Sequence, residues 1–441
     1  MQPISRRQLI QSSAALLVAS SVPWTVPARA KAPAGVYVRE QDLPVLEMDV
    51  AASIEKTTFI TKSGRFDQMA NGAIIMIPAG IDIPVSWWRL NIRKNHKMND
   101  GARVILKGAD RNRRPRLMSS GNKGVLITRN QSDRRVSVEL ENMVLKGGIG
   151  GNALHVLKTS RLRLVNVLIS GGKNGLFVPT HPTDIEIIDS EMKHCGYGGG
   201  FTHNLYTSYI NSLTVRNSKF HSARAQGHAF KDYAKHLDVR DSYFAHYETD
   251  ADLADGFFGE LPVLDRGAWG TTIAVGNTFV RRGPVRPKVI EIRNRGYPPG
   301  YNKYVPKGWG TQEVDYHLVD NRDPSNPYLF KHLFYDNTFK NGILPDGRLD
   351  PLIEQKPGSM IRNNGSAPWG VRVKGEGGDA PAPSDWQPHY ERAVVYLAKN
   401  RMEGVPFVPL ADRSPYRYPN LTTPIRESDD LPEWAEDVIK A

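Results

Sequence analysis

The chain has 441 residues, one cysteine and a formal charge of +12. A single cysteine, Cys195, excludes an internal disulfide framework and is read as a core residue. The positive balance points to a polyanionic partner, and no segment beyond the N-terminus is apolar enough to span a bilayer.

The first thirty residues read as an export signal. Ser5-Arg6-Arg7-Gln8-Leu9-Ile10 is a twin-arginine motif, Ala14-Ala15-Leu16-Leu17-Val18 supplies the apolar run, and Ala28-Arg29-Ala30 is a small-residue cleavage site. The run is short and broken by Ser12, Ser13, Ser20 and Pro23, which argues against a membrane anchor. The expected mature protein, residues 31–441, is therefore periplasmic or secreted and exported already folded. Its lack of disulfides suits folding in a reducing cytoplasm. The signal carries Arg6, Arg7 and Arg29 and no acid, so subtracting three from +12 leaves +9. Outside the cytoplasm the available polyanions are acidic polysaccharides and cell-envelope polymers, not nucleic acid.

After a short lead, Gly72-Ala-Ile74-Ile-Met76-Ile-Pro78-Ala-Gly80 predicts a strand closed by a Pro/Gly turn. Leu90-Asn-Ile92 and Arg103-Val104-Ile105-Leu106-Lys-Gly108 follow as further short strands. The main ladder then runs through Val138-Glu-Leu140-Glu-Asn142, Leu162-Arg-Leu164-Val-Asn166, Ile185-Glu-Ile187-Ile-Asp189, Leu213-Thr-Val215-Arg216-Asn217 and Leu237-Asp-Val239-Arg240-Asp241. These units start 24, 23, 28 and 24 residues apart. Apolar residues alternate with period two inside each unit, which excludes a helical solenoid and predicts one coil of a β-solenoid per unit. Asn142, Asn166, Asp189, Asn217 and Asp241 fall at the same step and are read as stacked corner residues that bond turn backbone.

Ile273-Ala-Val-Gly-Asn277-Thr-Phe279, Leu333-Phe-Tyr-Asp-Asn337-Thr-Phe339 and the run Ala393 to Asn400 resume the pattern. Irregular insertions interrupt it at about 296–328 and 363–390, the first rich in Pro, Tyr and Gly, the second in Gly, Pro and Trp. In the tail, 404–441, the segment Leu431 to Ile439 reads as a short amphipathic helix that caps the open end. The expected architecture is all-β: one single-stranded, right-handed parallel β-helix with main coils over about 70–345.

The stretch His203 to His246 repeats more than its strand. His203-Asn204-Leu-Tyr206 returns after 25 residues as His228-Ala-Phe-Lys231. Neighbouring strands lie about 4.8 Å apart, so a coil of that length sets His203 beside His228 and Tyr206 beside Lys231. His221 and Arg224 lie in the turn segment between them.

With these residues the chain resembles the right-handed parallel β-helix family. It is most similar to bacterial right-handed β-helix repeat proteins with a His-Asn-x-Tyr strand followed by Gly-His-x-x-Lys, here His203-Asn204-Leu-Tyr206 and Gly227-His228-Ala-Phe-Lys231. The resemblance implies a pectate or alginate lyase-like superfamily of lyases, hydrolases and epimerases. Its alginate lyases use a strand-borne Lys with a nearby Arg, which implies Lys231 as a base. Asp232 stands where those lyases carry Ser, and the Asp-Pro-His-Asp signature of mannuronan epimerases is absent.

β-Elimination of a uronate needs a cation on the carboxylate, a base for the neighbouring C–H and an acid for the leaving oxygen. The expected assignment is Arg224 as the carboxylate fork, Lys231 as base, Tyr206 or His228 as acid, and His203, Asn204, His221 and Trp309 as substrate contacts. Two other classes remain open. The acidic stretch Glu248 to Glu260 holds Asp250, Asp252 and Asp255, which suit a hydrolase pair or a calcium site. A binding solenoid would need only aromatic stacking, for which Trp309, Trp369 and Trp386 are candidates. The leading expectation is a lyase acting on an acidic polysaccharide.

Overall fold

The computed structural model describes most of residues 37–245 and, beyond them, the strands between Val263 and Lys440. Residues 1–36, 246–262, 282–289, 294–330, 342–360, 365–393, 404–409 and 412–424, with shorter gaps, lie outside the described residues. The signal segment, the first insertion and the second beyond Asn364 fall there.

The strands stack in register as three parallel ladders, and the chain passes from one to the next as it winds: a right-handed parallel β-helix. Sheet one contains Gly72–Ile77, Ala102–Gly108, Asp184–Ile188, Ser212–Arg216, His236–Arg240, Thr271–Val275, Lys331–Tyr335 and Val394–Ala398. Sheet two contains Asp82–Val85, Arg116–Ser119, Glu191–Lys193, Lys219–His221, Tyr243–Ala245, Thr278–Arg281 and Thr338–Asn341. Two long strands, Val136–Gly147 and Arg161–Gly171, run through the corner and serve both sheets. Sheet three stacks Trp88–Ile92, Leu126–Asn130, Leu154–Leu157, Leu176–Val178, Leu205–Thr207, Phe230–Asp232, Leu264–Gly267, Ile290–Arg293, Ile361–Asn364 and Leu410–Ala411. Coiling thus continues past residue 345, to Ile425–Glu427.

Period-two alternation decides what each ladder buries. Val138, Leu162, Ile185, Leu213 and Leu237 are consecutive partners and all are buried. On sheet two, Phe220, Phe244, Phe279 and Phe339 stack at 5.3, 5.0 and 5.2 Å with their planes nearly parallel.

The corner between sheets one and two is left-handed. Asn142, Asn166, Asp189, Asn217 and Asp241 have φ of 53, 53, 50, 44 and 52°, a region that Asn and Asp tolerate better than other side chains. Their side chains also stack, Asn166 donating to Asn142 at 3.0 Å and Asn217 to Asp189 at 2.7 Å. The next coil places Gly276 at this step, where a Cβ would come within 2.6 Å of the Asp241 carboxylate. One residue further along, a second ladder runs inside the corner. The backbone N–H groups of Val167, Ser190, Ser218, Ser242, Asn277 and Asn337 bond in turn to the side chains of Ser190, Ser218, Ser242, Asn277, Asn337 and Asn400. Each such bond contributes about 1 kcal/mol net, and losing one leaves a buried donor unsatisfied.

Both described ends of the chain fold onto the outer side of sheet one. Near the start, Val38 and Leu43 cover Ile74 and Ile105, while helix α1 (Val50–Lys56), N-capped by Asp49, leads to Phe59, which packs edge-on against Trp88 at 5.1 Å. At the other end, helix α2 (Glu433–Lys440) forms as the tail predicts. It lies sideways on sheet one, packing Ala435, Val438 and Ile439 against Leu333, Tyr335 and Tyr396, and Arg240 donates to the Val438 carbonyl at 2.9 Å. The helix covers a flank because the outward columns of sheet one turn from polar, at Asp238 and Arg240, to apolar or aromatic, at Ile273, Leu333 and Tyr396 and at Val275 and Tyr335.

Two substitutions test this packing. Val239, 1% exposed, is expected to abolish soluble folding when changed to Asp, since a charge would then lie in the stack; a soluble variant with unchanged melting contradicts the inward phase. Asn277→Ala removes an acceptor from Ser242 N–H and a donor to the Val239 carbonyl. Its expected cost is about 2–4 kcal/mol in denaturant unfolding.

Candidate functional site

Sheet three presents two alternating columns. The inward one is Trp88, Leu126, Leu154, Leu176, Leu205, Phe230, Leu264 and Ile290. One residue on, the register gives Arg89, Ile127, His155, Phe177, Tyr206, Lys231, Asp265, Glu291 and Arg362 on the opposite face. Strand alternation puts the described side chains of this column, Arg89 to Lys231, on the outer side of the solenoid. His155 stacks on Phe177 at 5.0 Å, and Phe177 on Tyr206 at 5.5 Å. The Lys231 Nζ lies 4.8 Å from the centre of the Tyr206 ring and 5.8 Å from that of Tyr233, and the residue is only 5% exposed. A desolvated contact of this kind stabilises an ammonium by about 2 kcal/mol.

Tyr206 and Lys231 are thus partners in adjacent coils, at the register the 25-residue repeat predicts. Asp232 alternates to the inward column, where its carboxylate accepts from Thr207 Oγ1 at 2.5 Å and from Ala234 N–H at 3.0 Å. The register sets Arg266 beside it in the following coil.

His203 and His228 are also adjacent, ring centres 4.7 Å apart, but they are 0 and 2% exposed. They continue a ladder that begins with Asn152 and Asn174 at the corner entering sheet three. Asn174 donates to Asn152 at 2.9 Å, His203 N–H donates to Asn174 at 2.8 Å, and His228 N–H donates to His203 Nδ1 at 2.9 Å. Accepting from a backbone N–H fixes the His203 Nδ1 as bare, with the proton assigned to Nε2. The His203 ring meets Tyr206 edge-on at 5.4 Å, so this corner supports the tyrosine from behind.

The remaining expected contacts occupy other places. Asn204 is fully buried, accepting from Cys195 N–H at 3.0 Å and donating to the His221 carbonyl at 2.6 Å. It braces two turns, a geometry that leaves no face for a sugar. His221 belongs to sheet two, its Nε2 3.0 Å from the Glu191 carboxylate and its Nδ1 2.9 Å from Ser222 Oγ. With Lys193 also on it, the Glu191 carboxyl is held down at about 2 by the His221 hydrogen bond first, against the cost of burial. Arg224 lies in the turn between sheets two and three with its guanidinium 4.4 Å over the Tyr197 ring. Trp309, Asp250, Asp252 and Asp255 lie outside the described residues. Among the described residues no three metal-ligating side chains converge.

His155, Phe177, Asp265 and Glu291 complete the column, and Tyr233 flanks it beside Lys231. For Glu291 the signal was the alternation in Ile290-Glu291-Ile292-Arg293, a short strand hidden among irregular sequence; Val263-Leu264-Asp265-Arg266 carries no such alternation.

No family model matches the chain, and no curated protein matches it. Among solved structures, it is similar to the catalytic unit of a thermostable GH87 alpha-1,3-glucanase from Streptomyces thermodiastaticus strain HF3-3. The identity is 10%, the TM-score 0.33, and the match covers 82% of this chain and 62% of that one. So distant a likeness says nothing of what this chain does.

Two histidines, His155 in the column and His181 near it, make stability depend on acidity. Burial pushes His155 down to about 4, with nearby His181 adding to the effect. Burial likewise takes His181 to about 4, although its Nδ1 bonds the Pro179 carbonyl at 2.8 Å. An unfolded imidazole titrates near 6.5, so between those values the unfolded chain binds more protons and stability rises with pH. The folded protein is expected to lose on the order of 2–6 kcal/mol as pH falls from about 6.5 to about 4. Unfolding followed against pH checks this, and His155→Phe should remove part of the slope.

Proposed function

We propose that this chain is an exported carbohydrate-active enzyme that hydrolyses a polysaccharide on the outer side of sheet three, with Asp265 and Glu291 as the reacting carboxylate pair. The observation that carries the reading is the order of the outward column: His155, Phe177 and Tyr206, then Lys231, Asp265, Glu291 and Arg362. Aromatic faces suit sugar rings, and Asp265 and Glu291 hold the register positions that follow Lys231. Glycoside hydrolysis needs one carboxyl that protonates the leaving oxygen and one carboxylate that works at the anomeric carbon. A column with a cation position before and after the two acids supplies both groups without accumulating net charge. The twin-arginine segment supports export, and a polysaccharide is the substrate class such a surface would meet there.

A second reading keeps the lyase, because Tyr206 and Lys231 are register partners with Nζ 4.8 Å from the ring. It is the weaker reading because the Lys231 Nζ lies against two aromatic rings, 4.8 and 5.8 Å from their centres, on a residue that is only 5% exposed.

The test is to incubate the purified mature chain with a panel of neutral and acidic glycans while following reducing ends and the ultraviolet absorbance of unsaturated uronates. Hydrolysis gives new reducing ends without absorbance, elimination gives both, and a binding solenoid neither. Asp265→Asn and Glu291→Gln are each expected to lower turnover about 10² to 10⁴-fold. Lys231→Ala should cost far less, and the reverse ranking would favour elimination.

A further inference from the structure

We infer that Trp87 is a separate glycan-binding position, remote from the proposed reacting groups, on which one sugar ring of a polysaccharide stacks. The inference takes its ligand class from the proposed function and does not depend on which groups cleave the chain.

Two adjacent tryptophans end in opposite environments. Trp88 enters the core, 1% exposed and edge-on to Phe59. Trp87 stands half-buried at the corner where the chain enters sheet three, with φ of 52°, a left-handed value that is an outlier for a bulky side chain. Gly or Asn would hold this turn with less strain, so the turn itself gives no reason for an indole. Strain of this kind collects at binding positions. The six-membered ring lies against the next two coils: a Cβ at Gly124 would come within 2.4 Å of its Cζ3, and one at Gly151 within 2.7 Å of its Cζ2. Among the described residues, no aromatic ring packs on Trp87 and no group accepts from its indole N–H.

The surroundings indicate the ligand. The turn that holds Gly124 exposes Asn122 and Lys123, and the turn that holds Gly151 exposes Ile149, at 50%. A pyranose has an apolar C–H face and a rim of hydroxyls. The indole and Ile149 suit the face, while the N–H, the Asn122 amide and the Lys123 ammonium suit the rim. One ring and one aliphatic side chain are too little for a protein partner, whose interface takes about 20–30 residues a side.

Six strand steps separate Trp88 from Leu264, roughly 29 Å at about 4.8 Å each. Trp87 therefore holds a long chain at a distance from the Asp265 position.

The experiment compares the mature wild-type chain with Trp87→Asn and Trp87→Phe, in native gels cast with starch, xylan, polygalacturonate or alginate, and by thermal melting. At least one polymer is expected to retard the wild type. Trp87→Asn should weaken that retardation about tenfold without lowering the melting temperature, because Asn tolerates the left-handed turn. Trp87→Phe, which keeps a ring, should retain most of the binding. Equal retardation of all three chains, equal loss in both variants, or no retardation of the wild type overturns the inference. The hydrolase reading is decided separately, by whether reducing ends are released.

Discussion

Everything in this molecule depends on the corner between sheets one and two. A parallel solenoid has no hairpins to set its register, and a slip of one residue would turn every inward side chain outward. The corner prevents the slip in two ways. The left-handed residue at each coil, from Asn142 to Asp241, fixes where the chain turns. The ladder inside it, from Ser190 through Ser218, Ser242, Asn277 and Asn337 to Asn400, ties the backbone of one coil to a side chain of the next. Asn277 and Asn337 each add a bond from their amide to a backbone carbonyl, at 3.0 and 2.9 Å. Register is thus specified by directional bonds as well as by apolar alternation, and it is register that decides which residues meet on the outside.

With phase fixed, the faces divide their tasks. The outer side of sheet one is consumed by structure. Arg103 holds Glu139 in a fork at 2.6 and 2.7 Å, and Arg163 reaches both Glu141 and Glu186. Glu139 is fully buried, and its carboxyl lies below the ordinary range because hydrogen bonding and charge from Arg103, with Arg161 and Arg163, outweigh the larger single effect of burial. The two ends of the described chain cover the apolar positions that remain there. Sheet three carries a different outward column, with aromatic side chains giving way to ionisable positions within a few coils. The same coil geometry therefore serves two ends: on one flank, opposite charges are paired for stability; on another, the register sets two acidic positions in adjacent coils.

Much of this was legible in the sequence. The period, the strand phase and the five corner residues are written directly in Asn142, Asn166, Asp189, Asn217 and Asp241, because stacking makes the same residue type useful at the same step of every coil. The serine and asparagine ladder one position further on was equally repeated, Ser218 and Ser242 directly following Asn217 and Asp241. Only the structure distinguishes its inward role from that of its neighbour. Tyr206 beside Lys231 also followed from counting. Asn204 and His221 were harder, because a polar residue near a corner looks the same in sequence whether it braces a turn or faces solvent.

The histidines show where repeat-based reasoning about function goes astray. His203 and His228 drew attention because they recur, yet recurrence is what a ladder produces: each stands where an earlier coil has Asn152 or Asn174, and the His203 side chain accepts from the backbone N–H of His228 as that of Asn174 does from His203. A residue that repeats along a solenoid is being asked the same structural question in every coil. Chemistry requires different groups at neighbouring positions, a donor next to an acceptor or an acid next to a base. The informative column is therefore the one whose phase repeats while its residues do not. On sheet three that column runs from His155 to Arg362 and changes character at nearly every step, while the inward column one residue away remains apolar from Trp88 to Ile290. The backbone repeat supplies the spacing, and the breakdown of the side-chain repeat marks where that spacing can be put to use.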